Sequence, residues 1–129
     1  MGEEDAMRLL KALLEREGAE WSEEAGYLRF RLRRGAMLWE TACRAGKNVV
    51  LFYGRFPFRC GDIEQAWKAC GEMNRRLTRG ALFLAEDGYP VYRCEAELDD
   101  VFGAEERILS AMRYSAQVMG HCWGRLSGI

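Results

Sequence analysis

The feature that most constrains this chain is the strict alternation of YLRFRLRR at residues 27–34. Three apolar side chains fall on one side of an extended chain: Leu28, Phe30 and Leu32. The other side carries an aromatic ring and three guanidinium groups: Tyr27, Arg29, Arg31 and Arg33. This alternation is typical of an antiparallel strand that buries one face and leaves the other in water. It therefore predicts a sheet with one face available for packing.

A hairpin is predicted directly after this strand. Arg34 and Gly35 can form a two-residue loop, because glycine readily adopts positive φ. That loop would place Arg29 directly opposite Glu40, as an ion pair between strands. A further turn and a strand at 49–56 would complete a three-stranded meander.

Three segments have the apolar spacing of helices: residues 4–17, 62–77 and 104–126. Asp62 is predicted to cap the second helix, with Gln65 in the capping-box position. The expected buried stripe of this helix is Ile63, Ala66, Trp67, Cys70, Met73 and Leu77. Gly71 interrupts it at a cost of about 1 kcal/mol relative to alanine, so we expect a close packing contact there.

Residues 81–96 are predicted to form a second hairpin around the turn residues Asp87 and Gly88. A two-residue loop would give one face Ala81, Phe83, Ala85, Tyr92, Cys94 and Ala96. The other face would then carry Leu82, Leu84, Tyr89, Val91 and Arg93. Both faces are substantially apolar, so the second one needs cover from a helix, a second subunit or another partner.

The element order α-β-β-β-α-β-β-α predicts one α+β domain over residues 1–129, an antiparallel sheet with helices packed on it. The composition, 49% hydrophobic and 12% aromatic, is sufficient for an ordinary core. No apolar run approaches the ~20 residues of a membrane-spanning helix. The first residues are acidic and helical in pattern, unlike a signal peptide. We therefore expect a soluble, cytoplasmic protein without membrane contact.

The sequence offers few groups for catalysis. The five cysteines include no C-x-x-C pair, which favours free buried thiols over a zinc site. His121 is the single histidine, and its neighbour Cys122 would point elsewhere on a helix. A cysteine enzyme using Cys122 or Cys94 is the third hypothesis. Phosphate-loop, dinucleotide and zinc-protease motifs are missing, so we expect no metal, no cofactor and no enzymatic activity.

Charge is segregated along the chain although the net charge is −1. Residues 1–26 hold eight acids and three bases, a net of −5. Residues 27–80 hold four acids and twelve bases, a net of +8, and residues 81–129 hold eight acids and four bases, a net of −4. A basic centre with aromatic rings is one form of nucleic-acid footprint. The candidate residues are Tyr27, Arg29, Arg31 and Arg33.

The element order and several segments resemble the YbjN-like family of the type III secretion chaperone-like fold. The similar segments are MRLLKALLEREG, YLRFRLRRGAMLWETACRAGKNVVLFYGRF, AWKACGEMNRRLTRGALFLAEDGYPVYRCEAEL and ERILSAMRYSAQVMGHCW. The most distinctive stretch runs from Met73 to Gly88. The resemblance implies a small non-enzymatic cytoplasmic protein, often a homodimer. Secretion chaperones of this fold hold a partly unfolded client segment. This chain departs from them in lacking strong net acidity and in its Arg-rich strand.

Together these features predict a non-catalytic protein-binding domain, chaperone-like or regulatory, that acts as a homodimer and can bind a protein client. The interface candidates are Leu82, Leu84, Tyr89, Val91 and Trp67. The alternative is a nucleic-acid-binding protein that uses the Arg-rich strand face.

Overall fold

The computed structural model describes residues 1–99 and 102–129. Within these residues three helices and six strands follow in the order α-β-β-β-β-α-β-β-α. The helices are α1 (Glu3–Arg16), α2 (Ile63–Asn74) and α3 (Ala104–Ser127). The strands are β1 (Trp21–Glu24), β2 (Tyr27–Arg34), β3 (Met37–Gly46), β4 (Val49–Arg55), β5 (Ala81–Leu84) and β6 (Pro90–Glu97). The predicted α+β class is confirmed, with one strand more than expected.

The additional strand is β1, a short edge strand with the sequence WSEE. It pairs antiparallel with the first half of β2, and Trp21 lies opposite Phe30. The turn between them uses Ala25 and Gly26, both at positive φ. Four residues, two of them acidic, have no alternating pattern of their own. This segment forms a strand because it pairs with β2, so its own sequence periodicity does not predict it.

All six strands form one antiparallel sheet in the order β1-β2-β3-β4-β6-β5. The helices α1 and α3 pack on the central strands, and α2 packs on β5. The helices also touch one another, so all three lie on one side of the sheet. We call the opposite side the open sheet face. None of the three helices is both long and apolar enough to cross a bilayer, over the residues described.

As its alternating sequence predicts, β2 buries one face and exposes the other. Leu28 and Phe30 are buried under the helices, whereas Arg29 and Arg31 are exposed on the open sheet face. The largest buried side chains of the core include Trp39, Tyr92, Phe52, Phe56, Leu10 and Ile108. The helix-covered face is therefore a conventional apolar core, and the open sheet face is the one that meets solvent.

The first hairpin forms with a different register from the one predicted. Its two-residue loop is Gly35 and Ala36, with Gly35 at φ +61°. The register therefore shifts by two residues, and Arg31, rather than Arg29, lies opposite Glu40. A shift of two keeps every side chain on its predicted face. Arg29 still pairs with Glu40, diagonally, at 3.1 Å between Nη1 and Oε1.

The second hairpin differs from its prediction in loop length, and this changes which side chains share a face. Its loop has three residues, 86–88, closed by a hydrogen bond from the Ala85 N–H to the Tyr89 carbonyl at 2.9 Å. Gly88 adopts φ +84°, the left-handed residue that follows a tight turn in such loops. One additional loop residue shifts the pairing by one position. Relative to the side chains of β6, those of β5 therefore lie on the opposite side of the sheet from the one predicted.

Leu82 consequently lies opposite Tyr92, and both face the helices. The helix-covered side of this hairpin carries Leu82, Leu84, Tyr92, Cys94 and Ala96. The open side carries Ala81, Phe83, Val91 and Arg93. The predicted division of side chains between the two faces is therefore wrong, because it depended on a two-residue loop. The helices cover Leu82 and Leu84, which is one of the three forms of cover that the sequence left open.

The second helix begins as predicted, with the Asp62 carboxylate accepting a hydrogen bond from the Gln65 N–H at 3.1 Å. Its predicted buried stripe is partly wrong. Cys70 is buried, but Ile63 and Trp67 are exposed. The predicted close contact at Gly71 is also wrong, because no atom lies within 4 Å of the position a Cβ would take there.

Candidate functional site

The structure separates the five residues predicted for an interface. Three are already buried within the chain: Leu82, Leu84 and Val91. Tyr89 is half-buried beneath the Arg55 guanidinium, whose Cζ lies 4.3 Å from the ring centroid. Trp67 alone of the five is strongly exposed, at 49%. The interface expected on β5 and β6 therefore lacks the exposed apolar side chains on which it was based.

The outer edge of β5 is closed from within the chain. The Asn74 amide donates to the Leu82 carbonyl at 2.9 Å, and its oxygen accepts from the Leu82 N–H at 2.7 Å. One side chain thus satisfies both backbone groups of an edge residue, as a neighbouring strand would. It occupies the site at which another strand would pair. Asn74 is also where α2 ends, three residues earlier than the sequence predicts.

An exposed apolar stripe on α2 is the first candidate surface. Ile63 and Trp67 are one helical turn apart and are 42% and 49% exposed. Gly71 follows one turn later, and no atom lies within 4 Å of the position that a Cβ would take there. We call these three residues the α2 surface. Large apolar side chains next to a glycine form a ridge and a hollow, which suits the close approach of another helix.

The charges around the α2 surface are arranged by helix end. Asp62 and Glu64 lie at its beginning, and Arg75 and Arg76 follow its last residue. Glu72 is paired with Arg125 of α3, which lowers the pKa of that carboxyl through a hydrogen bond and the positive charge. The helix therefore presents an acidic start and a basic end, and Lys68 is exposed next to Trp67 between them.

A group of arginine and tyrosine side chains on the open sheet face is the second candidate surface. We call it the Arg–Tyr patch, and its members are Tyr27, Arg29, Arg31, Arg33, Arg44 and Tyr53. The Tyr27 and Tyr53 rings meet edge to face, with centroids 6.4 Å apart. Ala42 lies directly opposite Tyr53, between β2 and β4. Its small side chain leaves room for the two rings to approach.

Several cations on this face lack an acidic partner. Arg29 is paired with Glu40, and Arg55 is paired with Asp87 at 2.6 Å, which lowers the pKa of the Asp87 carboxyl. Among the residues that the structure describes, Arg31, Arg33, Arg44 and Arg93 make no ion pair. The predicted residues Tyr27, Arg29, Arg31 and Arg33 are therefore brought together on one face, and Arg44 and Tyr53 join them from neighbouring strands.

The second half of β6 extends beyond the end of β5. Its backbone carbonyls at Glu95 and Glu97 accept hydrogen bonds from the guanidinium groups of Arg79, at 2.8 Å, and Arg107, at 3.1 Å. A groove of about 890 Å³ opens beside these carbonyls. The two arginines occupy the place of a further strand, so this groove is explained as a protected sheet edge. The sequence gives no signal for these contacts.

The structure provides no activated thiol for the cysteine-enzyme hypothesis. All five cysteines are free and buried. Burial raises the pKa of Cys94 to about 11 and also raises the pKa of Cys122. His121 is exposed on α3, whereas Cys122 points into the core. Over the described ranges, histidine, cysteine and acidic side chains form no cluster of three that could hold a metal ion.

Comparisons with protein-family models, with curated proteins and with solved structures returned no match for this chain. A proposal of function therefore depends on the chemistry of the α2 surface and the Arg–Tyr patch.

Proposed function

We propose that this chain is a non-catalytic protein-binding domain that acts as a homodimer through the α2 surface. The observation that carries the proposal is the exposure of Trp67, at 49%, one turn from an exposed Ile63. A half-exposed tryptophan next to another large apolar side chain is the composition typical of an interface centre. Tryptophan is among the residues most enriched in such centres.

A second copy is the occupant that the charges favour. A two-fold axis across the middle of α2 makes the two helices antiparallel. This arrangement brings Glu64 of one copy towards Arg75 of the other, and Trp67 of one copy towards the hollow at Gly71 of the other. The acidic start of each helix thereby lies beside the basic end of its copy.

The contact has a modest size. Twelve helical residues span about 18 Å, so we expect an interface at the low end of specific complexes and a dissociation constant of about 1 μM. Sedimentation velocity over about 1 to 100 μM protein would show the monomer giving way to a dimer. Trp67→Glu should weaken the dimer by at least about tenfold, because it places a charge in the interface centre.

Two further variants test the arrangement. Leu38→Glu is the matched control, because Leu38 is 37% exposed but lies on β3, away from α2. It should dimerise like the unaltered protein. Arg75→Glu should weaken the dimer, and adding Glu64→Arg should restore it by exchanging the charges. A protein that remains monomeric at every concentration, or a dimer that Leu38→Glu disrupts as strongly as Trp67→Glu, would contradict the homodimer.

The resemblance to the YbjN-like family extends this proposal to a chaperone-like or regulatory role, without enzymatic activity, in the cytoplasm. Five buried free thiols suit a reducing compartment. Their raised pKa values disfavour the thiolate that a cysteine nucleophile requires. Capture of one protein by the unaltered chain, and its loss with Trp67→Glu, would support a client that shares the α2 surface.

A further inference from the structure

We propose that the Arg–Tyr patch binds single-stranded nucleic acid. This binding is independent of the homodimer, because the patch lies on the open sheet face and α2 packs on the other side. Four features carry the inference: unpaired guanidinium groups, their spacing, an aromatic pair and an adjacent groove.

The spacing of the cations follows from the strand. Arg29, Arg31 and Arg33 alternate along β2, so successive guanidinium groups start about 6.8 Å apart. This repeat is close to the separation of successive phosphates in an extended single strand. Arg31 and Arg33 have no acidic partner among the described residues, and arginine binds phosphate oxygens with two parallel hydrogen bonds.

The tyrosine pair supplies a surface for bases. Tyr27 and Tyr53 are half-buried, so each ring is held in place and still reaches solvent. Arg93 lies opposite Tyr53, so that ring has a cation beside it, and Arg44 follows Cys43, the residue that pairs with Leu28 next to Tyr27. Aromatic rings on an open sheet, with cations beside them, stack bases without regard to sequence.

A groove of about 510 Å³ opens at the outer side of this strand. It is lined by Arg29, Phe30, Arg31 and Glu40 on the sheet, by Trp21 and Ser22 of β1 and by Glu20 before it, so two arginines face two carboxylates there. The strand β1 pairs with β2 only as far as Phe30, so β2 continues beyond it and leaves Arg31 and Arg33 accessible. An extended strand of nucleic acid can therefore follow β2 along this side.

The tyrosine pair favours nucleic acid over an acidic peptide. Both ligands would use the arginines, but only bases would use the faces of Tyr27 and Tyr53. Acidic side chains lie at the Tyr27 end of the open sheet face, where Glu24 is directly opposite Tyr27 and Glu95 and Glu97 continue the end of β6. Arg31 and Arg33 lie at the other end, so we expect the phosphates there and the bases on the side of Tyr27 and Tyr53. With three unpaired guanidinium groups in the patch, we expect a salt slope of about −2.

The test is fluorescence anisotropy with a labelled oligonucleotide of about 12 deoxythymidines. The unaltered protein should bind it at about 50 mM salt and lose roughly tenfold to twentyfold in affinity at about 200 mM. Tyr53→Ala should weaken binding by about tenfold through lost stacking, with little change in the salt slope. Arg31→Glu with Arg33→Glu should abolish binding.

The controls separate a specific surface from general charge. Arg8→Glu makes the same charge change as either of the two patch substitutions alone, but on α1, where Arg8 is 73% exposed and lies outside the sheet. It should leave binding intact, and circular dichroism should show that every variant is folded. Polyglutamate of matched charge should compete poorly.

Three results would overturn the proposal. They are no binding at low salt, equal loss with Arg8→Glu and with the patch variants, and unchanged binding after Tyr53→Ala. Full competition by polyglutamate would also overturn it and assign the patch to an acidic peptide. The dimer is measured separately, so failure here leaves the α2 surface unaffected, and failure of the dimer leaves this patch unaffected.

Discussion

At the residue scale, three buried polar atoms distinguish this core from a purely apolar one. Among the residues described, the Trp39 Nε1, the Thr41 hydroxyl and the Ser115 hydroxyl have no hydrogen-bond partner. Thr41 and Ser115 are each only 1% exposed. A buried polar atom without a partner has lost its hydrogen bonds to water, and no hydrogen bond within the protein offsets that free-energy cost. The unsatisfied groups at these positions therefore lower the free energy of unfolding.

Replacing the Thr41 hydroxyl by a methyl group should stabilise the fold. Thr41→Val keeps the shape of the side chain and removes the unsatisfied hydroxyl. We expect the free energy of unfolding to rise by about 1 kcal/mol, measured by denaturant unfolding. Thr78→Val is the control, because the exposed Thr78 hydroxyl hydrogen-bonds with the Tyr114 hydroxyl at 3.1 Å. A Thr41→Val variant no more stable than the original protein would imply that an internal water satisfies this group.

At the element scale, the structure protects its sheet edges with single side chains. Asn74 closes the outer edge of β5 with two hydrogen bonds to Leu82. Arg79 and Arg107 close the free half of β6. Each of these residues comes from a helix or loop beside the strand, not from the strand itself. An edge closed in this way is not available for pairing between molecules.

Removing the Asn74 amide should open the β5 edge. Asn74→Ala loses two hydrogen bonds to the backbone, and we expect the protein to lose about 2 kcal/mol of stability. It should also form concentration-dependent aggregates, which light scattering would detect. Asn74→Asp is the matched variant, since it keeps the acceptor for the Leu82 N–H and loses the donor. An effect of Asn74→Asp as large as that of Asn74→Ala would mean that the two bonds do not act separately.

At the scale of the whole molecule, three helices on one side of the sheet give the protein two different surfaces. The covered side holds the core and its five buried thiols, and the helix α2 presents its apolar stripe at the β5 edge. The open sheet face presents arginine and tyrosine side chains to solvent. The two surfaces that we propose for binding therefore lie on different sides of the sheet.

The buried thiols make the stability of the whole fold sensitive to alkaline pH. Burial raises the pKa of Cys70 and of Cys94 from 9.0 to about 11, and it raises the pKa of Tyr92 in the same direction. Between these values the unfolded chain releases protons that the folded chain retains. Stability should therefore be complete below about pH 9 and fall as the pH rises towards 11. Denaturant unfolding at about pH 8 and pH 10.5 would measure the loss.

The matched variant for this experiment is Cys94→Ala, which removes one of the titrating groups. The fall in stability between the two pH values should be smaller in the variant than in the unaltered protein, whatever its stability at pH 8. An equal fall in both proteins would show that Cys94 does not contribute.

Local sequence patterns were sufficient to predict the faces of β2, β3 and β4, the positions of the three helices and the residues that β2 contributes to the Arg–Tyr patch. Alternation and helical spacing are local properties, and they persist when the register shifts by two residues, as it does between Arg29 and Glu40. The buried set Leu28, Phe30, Trp39, Phe52 and Leu10 could be predicted for this reason.

The exposure of each surface, by contrast, follows from the way in which the helices and strands pack together. One glycine at positive φ, Gly88, adds a residue to a loop and turns Leu82 and Leu84 towards the helices. The strand β1 forms by pairing with β2, and the side chain of Asn74 closes an edge from outside the sheet. Trp67 is exposed because α2 packs at the border of the sheet, on β5. These outcomes depend on how the segments pair and pack, and the alternation or helical spacing within one segment does not encode them.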